Sequence, residues 1–113
     1  MKWTKYGNRR TYVGTELFDS QHEADRYVEL TLLQKAGEIT DLRRQVPYEL
    51  IPDIRSKKTG KVISRKTVYV ADFVYTNRDG KQIVEDAKGY RTEVYNLKKK
   101  LMLWRHGILI REV

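Results

Sequence analysis

The chain has 113 residues, enough for one domain with a core of its own and too few for two. It contains no cysteine, which excludes disulfides and thiolate metal sites and suits a reducing, intracellular (cytoplasmic) setting. The formal net charge is +8, from 23 Lys+Arg against 15 Asp+Glu, and such an excess favours a polyanionic partner, of which nucleic acid is the commonest. No apolar run approaches the ~20 residues that span a bilayer. The charged start "MKWTKYGNRR" has no apolar stretch behind it, so neither a membrane span nor a signal peptide is expected.

Residues 1–14 form a basic arm with Lys2, Lys5, Arg9 and Arg10. A first helix follows, roughly from Gln21 to Ala36. Ser20 is its expected N-cap, and Glu23, three residues on, completes a Ser-x-x-Glu capping box. Ala24, Tyr27, Val28 and Thr31 recur at helical spacing, Leu30 and Leu33 widen that face, and Gly37 is the stop.

"EITDLRRQVPYELIPDI" suggests one or two extended segments, interrupted at Pro47 and ended by Pro52. Residues 55–66, "RSKKTGKVISRK", carry no acid, and read as a mobile, basic hairpin tip. "TVYVADFVY" (67–75) is rich in β-branched and aromatic residues and predicts a strand. Asp79-Gly80 marks a hairpin turn, and "QIVEDAK" is the returning strand.

Thr92 can cap a second helix, closed by Gly107. Val94, Leu97, Leu101 and Trp104 make its amphipathic stripe at 3-4-3 spacing, and Lys98, Lys99 and Lys100 mostly face away from it. "ILIREV" is a last strand of about five residues, parallel to a central one because a helix intervenes. The expected fold is an α/β domain spanning 1–113, with a mixed sheet of about four to five strands flanked by two helices.

The chemistry centres on two acids and a lysine. Along the returning strand Val84, Asp86 and Lys88 share one face, and Glu85 and Ala87 the other. Asp72 lies on the partner strand, and a register that sets it near Asp86 gathers two carboxylates and an ammonium. Two hard oxygen ligands suit Mg²⁺, and Lys88 would stabilise charge beside it. Alternatively, Asp86 and Lys88 form a surface ion pair worth under ~1 kcal/mol.

Asp72, then "DAK" at Asp86-Ala87-Lys88, resembles the acidic-x-Lys motif of the PD-(D/E)XK nuclease superfamily. The proline that names the motif is absent, Ala71 standing in its place. The stretch from "FDSQHEADRY" through "YVADFVY" to "VEDAKGY" looks like a small phage-associated branch of that superfamily. The resemblance implies a restriction-endonuclease-like core of helix, three-strand meander, helix and further strand. It implies a Mg²⁺ site, open to Mn²⁺, held by Asp72, Asp86, the Ala87 carbonyl and a glutamate of the first helix, here Glu23. Glu23 keeps its capping role as a second, compatible reading. Gln45 is an accessory candidate beside the site. Glu85, on the opposite face, is placed to pair with a lysine of the second helix.

The expected activity is metal-dependent DNA cleavage, selective for branched or junction structure, in phage recombination, replication or packaging. Backbone contacts would come from Arg9, Arg10, Lys57, Lys58, Lys61, Arg65, Lys66, Lys98 and Lys99. A homodimer is expected from the task of paired cuts. The alternative is a DNA-binding module on the same fold that does no chemistry.

Overall fold

The computed structural model describes residues 9–87 and 91–113. β1 (Thr11–Val13) and β2 (Glu16–Phe18) form a small antiparallel hairpin. It leads into α1 (Gln21–Lys35), whose start follows the sequence signal: Ser20 is the N-cap, and its Oγ accepts from the Glu23 N–H at 3.1 Å. Gly37 follows the helix at φ +78°, a left-handed turn that favours glycine.

The remaining strands are β3 (Thr40–Ile51), β4 (Ile54–Arg55), β5 (Val62–Ser64), β6 (Thr67–Thr76), β7 (Gln82–Asp86) and β8 (Arg111–Glu112), with α2 (Glu93–His106) between the last two. The main sheet has the order β3–β6–β7–β8. Its first three strands are an antiparallel meander, and β8 returns parallel to β7 after α2. The parallel last strand was expected, although it is two residues long rather than about five.

β3 runs unbroken through Pro47, where the sequence suggested an interruption. Its place explains this. β3 is an edge strand, and a proline is tolerated where one side of the strand has no partner to receive an N–H. β4 and β5 build the basic segment into a hairpin, closed by Ser56 N–H to the Lys61 carbonyl at 2.8 Å and by the Arg55 guanidinium to the Gly60 carbonyl at 2.9 Å.

The sheet is covered on both faces, giving three layers. On one face Phe18, Ala24 and Leu30 pack with Phe73, Tyr75 and Ala87. On the other Tyr95 and Met102 of α2 pack with Tyr69, Ala71, Val74, Val84 and Ile110. The 3-4-3 stripe of α2 is not what it buries: Val94, Leu97 and Trp104 are exposed, while Tyr95 and Met102 face the sheet.

One irregularity positions the site. In a regular strand, residues two apart share a face. Here Ala71 packs on the α2 side and Phe73 on the α1 side. β3 does the same, with Leu42 on the α1 side and Val46 and Tyr48 on the α2 side. The pairs Arg44↔Phe73 and Val46↔Ala71 bracket both slips, so the alternation inverts at Gln45 and Asp72 together. Gln45 sits at φ +52°, in the left-handed region that a side chain makes costly.

Candidate functional site

At that inversion, residues from three elements meet. Glu23 comes from the first turn of α1, Gln45 from β3 and Asp72 from β6. Glu23 and Asp72 are buried, whereas Gln45 is exposed, so the acids lie just under the surface. The Gln45 amide donates to Glu23 Oε1 at 3.1 Å and reaches Asp72 Oδ1 at a longer 3.4 Å. One amide thus bridges two carboxylates. The left-handed turn at Gln45 is the local strain that aims it there.

Glu23 is held away from its ordinary proton affinity. Burial, then the charge of Asp72 and that of Asp19, push the Glu23 carboxyl up to about 7, and nearby Arg44 only partly offsets them. Glu23 therefore does more than cap α1. Its N–H closes the Ser20 cap, and its carboxylate faces Gln45 and Asp72.

Asp72 also extends the β6–β7 ladder, its Oδ2 accepting from the Ala87 N–H at 2.8 Å. The expected register holds: Phe73 pairs with Glu85 and Val74 with Val84, which brings Asp72 and Asp86 to neighbouring positions. Asp86 is fully buried, and its Oδ2 accepts from the Tyr69 hydroxyl at 2.8 Å. Burial and the charges of Asp86 and Asp72 hold that phenol well above its ordinary pKa, so Tyr69 remains the donor. Lys88 lies outside the described residues.

The alternation along β7 is as expected, with Val84 toward α2 and Ala87 toward α1. The partner expected for Glu85 is not. Its face looks to α1, so no lysine of α2 can reach it. Instead Arg26 grips the fully buried carboxylate with two bonds, Nε at 2.8 Å and Nη2 at 2.7 Å, and the Tyr75 hydroxyl adds a third. Burial and that bond raise the Tyr75 phenol to about 12.

Do these residues fit a divalent metal? The facing carboxylates are hard oxygen donors, the ligand type that Mg²⁺ or Mn²⁺ takes. Among the described residues, however, no group of three or more His, Cys, Asp or Glu side chains is disposed to hold an ion by itself. Backbone oxygen or water would have to complete the coordination. The two histidines stand apart, His22 against the Val113 carbonyl at 2.8 Å and His106 against the Glu49 carbonyl at 2.7 Å.

A model of the family DUF1064, "Protein of unknown function", matches residues 3–110. The chain belongs to the DUF1064 family. The matched span contains Glu23, Gln45, Asp72 and Asp86. No curated protein and no solved structure matches the chain.

The basic residues of this DUF1064 chain fall into two sets. Arg9, Arg10, Lys57, Lys58, Lys61, Arg65 and Lys66 are exposed. Arg65 and Lys66 line a cleft of about 430 Å³ at the β4–β5 hairpin, together with Asp53, Val62 and Ile63. Lys98 and Lys99, by contrast, are half-buried beside the sheet, and Lys99 bonds Glu112 at 3.2 Å.

Three participants escaped the sequence reading. Tyr69 looked like any strand tyrosine. Arg26 and Arg44 were not singled out, yet Arg26 holds Glu85 and Arg44 lies over the Phe18 ring at 3.7 Å, near Glu23. The one available signal was Asp72 itself, the single charge in "TVYVADFVY", marking where the alternation breaks. No helix among the described residues is long and apolar enough to cross a membrane.

Proposed function

We propose that this DUF1064 protein is a divalent-metal-dependent DNA endonuclease on a restriction-endonuclease-like core. The observation that carries the reading is the Glu23–Gln45–Asp72 meeting, with Asp86 beside it across the hairpin. The element order supports it as well: helix, three-strand meander, helix, parallel strand is the order that the motif's resemblance implies.

In this reading Asp72 and one further acid, Asp86 or Glu23, would hold Mg²⁺ or Mn²⁺, with the Ala87 carbonyl and water completing its coordination. Bound there, the ion would acidify a water and neutralise charge on the scissile phosphate. The protein's own groups do the positioning. Gln45 keeps the two acids together, and Tyr69 and the Ala87 N–H orient Asp86 and Asp72. Lys88 stabilises the developing charge. The exposed Lys57, Lys58, Lys61, Arg65 and Lys66 hold the backbone of the substrate. Branched DNA is the proposed substrate, cut by a homodimer in the cytoplasm of a phage-infected cell.

A second reading, a DNA-binding module without chemistry, also has an observation in its favour. Asp86 and Asp72 serve as internal acceptors, for Tyr69 and for the Ala87 N–H, a purpose sufficient without catalysis. Incubation with labelled four-way junction, flap, duplex and single strand, each with Mg²⁺, Mn²⁺ or EDTA, separates the two. Metal-dependent cutting that disappears in Asp72→Asn and Asp86→Asn supports the nuclease. Binding without cutting, the same in the variants, overturns it.

A further inference from the structure

α2 carries two apolar faces, and the fold uses only one. Tyr95 and Met102 go to the sheet. Val94, Leu97, Leu101 and Trp104 occupy a second arc of about 80°, of which Leu101 also packs against the sheet-side core. Val94 is 64% exposed, Leu97 56% and Trp104 78%, and Leu101 is half-buried. A helix that leaves such a stripe in water has a partner for it.

We infer that the stripe is the seam of a two-fold dimer in which α2 packs parallel to α2 of a second copy. The spacing is that of a coiled coil. Val94 and Leu101 take one seam position, Leu97 and Trp104 the other, and the first repeat, Val94 then Leu97, has the β-branched-then-leucine order that favours two parallel strands. Charge selects the same orientation. In the parallel arrangement Glu93 of one copy faces Lys98 of the other, twice by symmetry. The same arrangement sets Lys100 of one copy toward Arg105 of the other, a like-charge contact that the Arg105–Glu49 bond at 2.8 Å offsets. An antiparallel seam would instead set Lys100 against Lys100 and Lys98 against Lys98.

The proposal does not depend on the nuclease reading, because it uses none of the site residues. Two heptads bury on the order of 1,000 Å², the lower end for a specific interface, so a dissociation constant on the order of 10 µM is expected.

Sedimentation equilibrium of the full chain up to about 100 µM tests this directly, since that concentration spans the expected constant. The wild type should show a reversible monomer–dimer equilibrium. Leu97→Glu should be monomeric, with unchanged circular dichroism and melting, because the position is exposed. Leu97→Cys should form a disulfide-linked dimer on mild oxidation, in a chain with no other thiol. Glu93→Lys should weaken association about five-fold, and adding Lys98→Glu should restore it. A wild type monomeric throughout, a dimer indifferent to Leu97→Glu, or a Leu97→Cys chain that does not cross-link would each overturn the proposal.

Discussion

Replacing Glu23 by glutamine should make this protein more stable at high pH and leave it unchanged at low pH. The carboxyl is held up at about 7, against 4.5 for the free group, by burial and by Asp72. Its folded pKa lies above its unfolded one, so the folded state binds more protons between those values. Stability is therefore full below about pH 4.5 and falls as pH rises through about 7. At pH 8 the wild type carries the whole penalty, which the rise from 4.5 to about 7 bounds at roughly 3 kcal/mol, at 1.36 kcal/mol per unit.

Glu23→Gln removes the charge and keeps an oxygen for the Gln45 amide. For a domain of this size the gain corresponds to roughly 10 °C in melting temperature. The measurement is a pair of thermal or urea melts, wild type and variant, at pH 4.5 and pH 8. Comparing the two proteins cancels the other titrating acids. Equal stability at the low pH and a large gain at the high one is the expected result. A gain independent of pH, or a loss at pH 8, would refute the account of Glu23. A second arm adds Mg²⁺ at pH 8. If the acid pair holds the ion, the wild type should gain about 2.7 kcal/mol at a hundred-fold excess over its dissociation constant, and the variant much less.

Gln45→Gly should be more stable than Gln45→Ala by up to ~1 kcal/mol, because both lose the amide that bridges Glu23 and Asp72 but only glycine accepts the φ of +52° without strain, which paired melts would show. Both should lower any metal-dependent activity. Arg26→Met should destabilise by roughly 3–5 kcal/mol by leaving the buried Glu85 charge without its partner, and Arg26→Met/Glu85→Leu should recover most of that in denaturant titration. Tyr69→Phe should cost roughly 1–3 kcal/mol by taking the donor from Asp86. Replacing Lys57 and Lys58 by alanine should weaken DNA binding and reduce the slope of log affinity against log salt by about one per lost contact.

The parts of the fold that local rules govern were legible. Ser20, Gly37, Thr92 and Gly107 punctuate the helices as their types dictate, and Thr92 accepts from the Tyr95 N–H at 3.0 Å. The β6–β7 hairpin followed from the Asp79-Gly80 turn, which put Asp72 and Asp86 on neighbouring strands, and the structure supplies the register that sets them side by side. What failed needed knowledge of the neighbours. Pro47 breaks a central strand and not an edge, and nothing local says which β3 would be. The α2 stripe was a true amphipathic signal, but periodicity finds an apolar face without saying what covers it.

The site shows the same division more sharply. Asp72 stood out because a carboxylate inside an apolar strand has a large desolvation cost that something must offset. Gln45 and Glu23 gave weaker signals, since their place depends on two strands inverting their alternation at one point. That inversion frees Asp72 from either core and opens the gap that Glu23 enters from α1. A regular β6 would turn Asp72 wholly into one core layer, away from Gln45. The strained turn at Gln45 and the raised proton affinity of Glu23 are thus two costs of one arrangement, and both fall on the residues that face each other. Asp41, at φ +54°, shares the backbone strain but not the acid pair, so Gln45 is where both costs meet, the pattern expected of a site held for something other than stability.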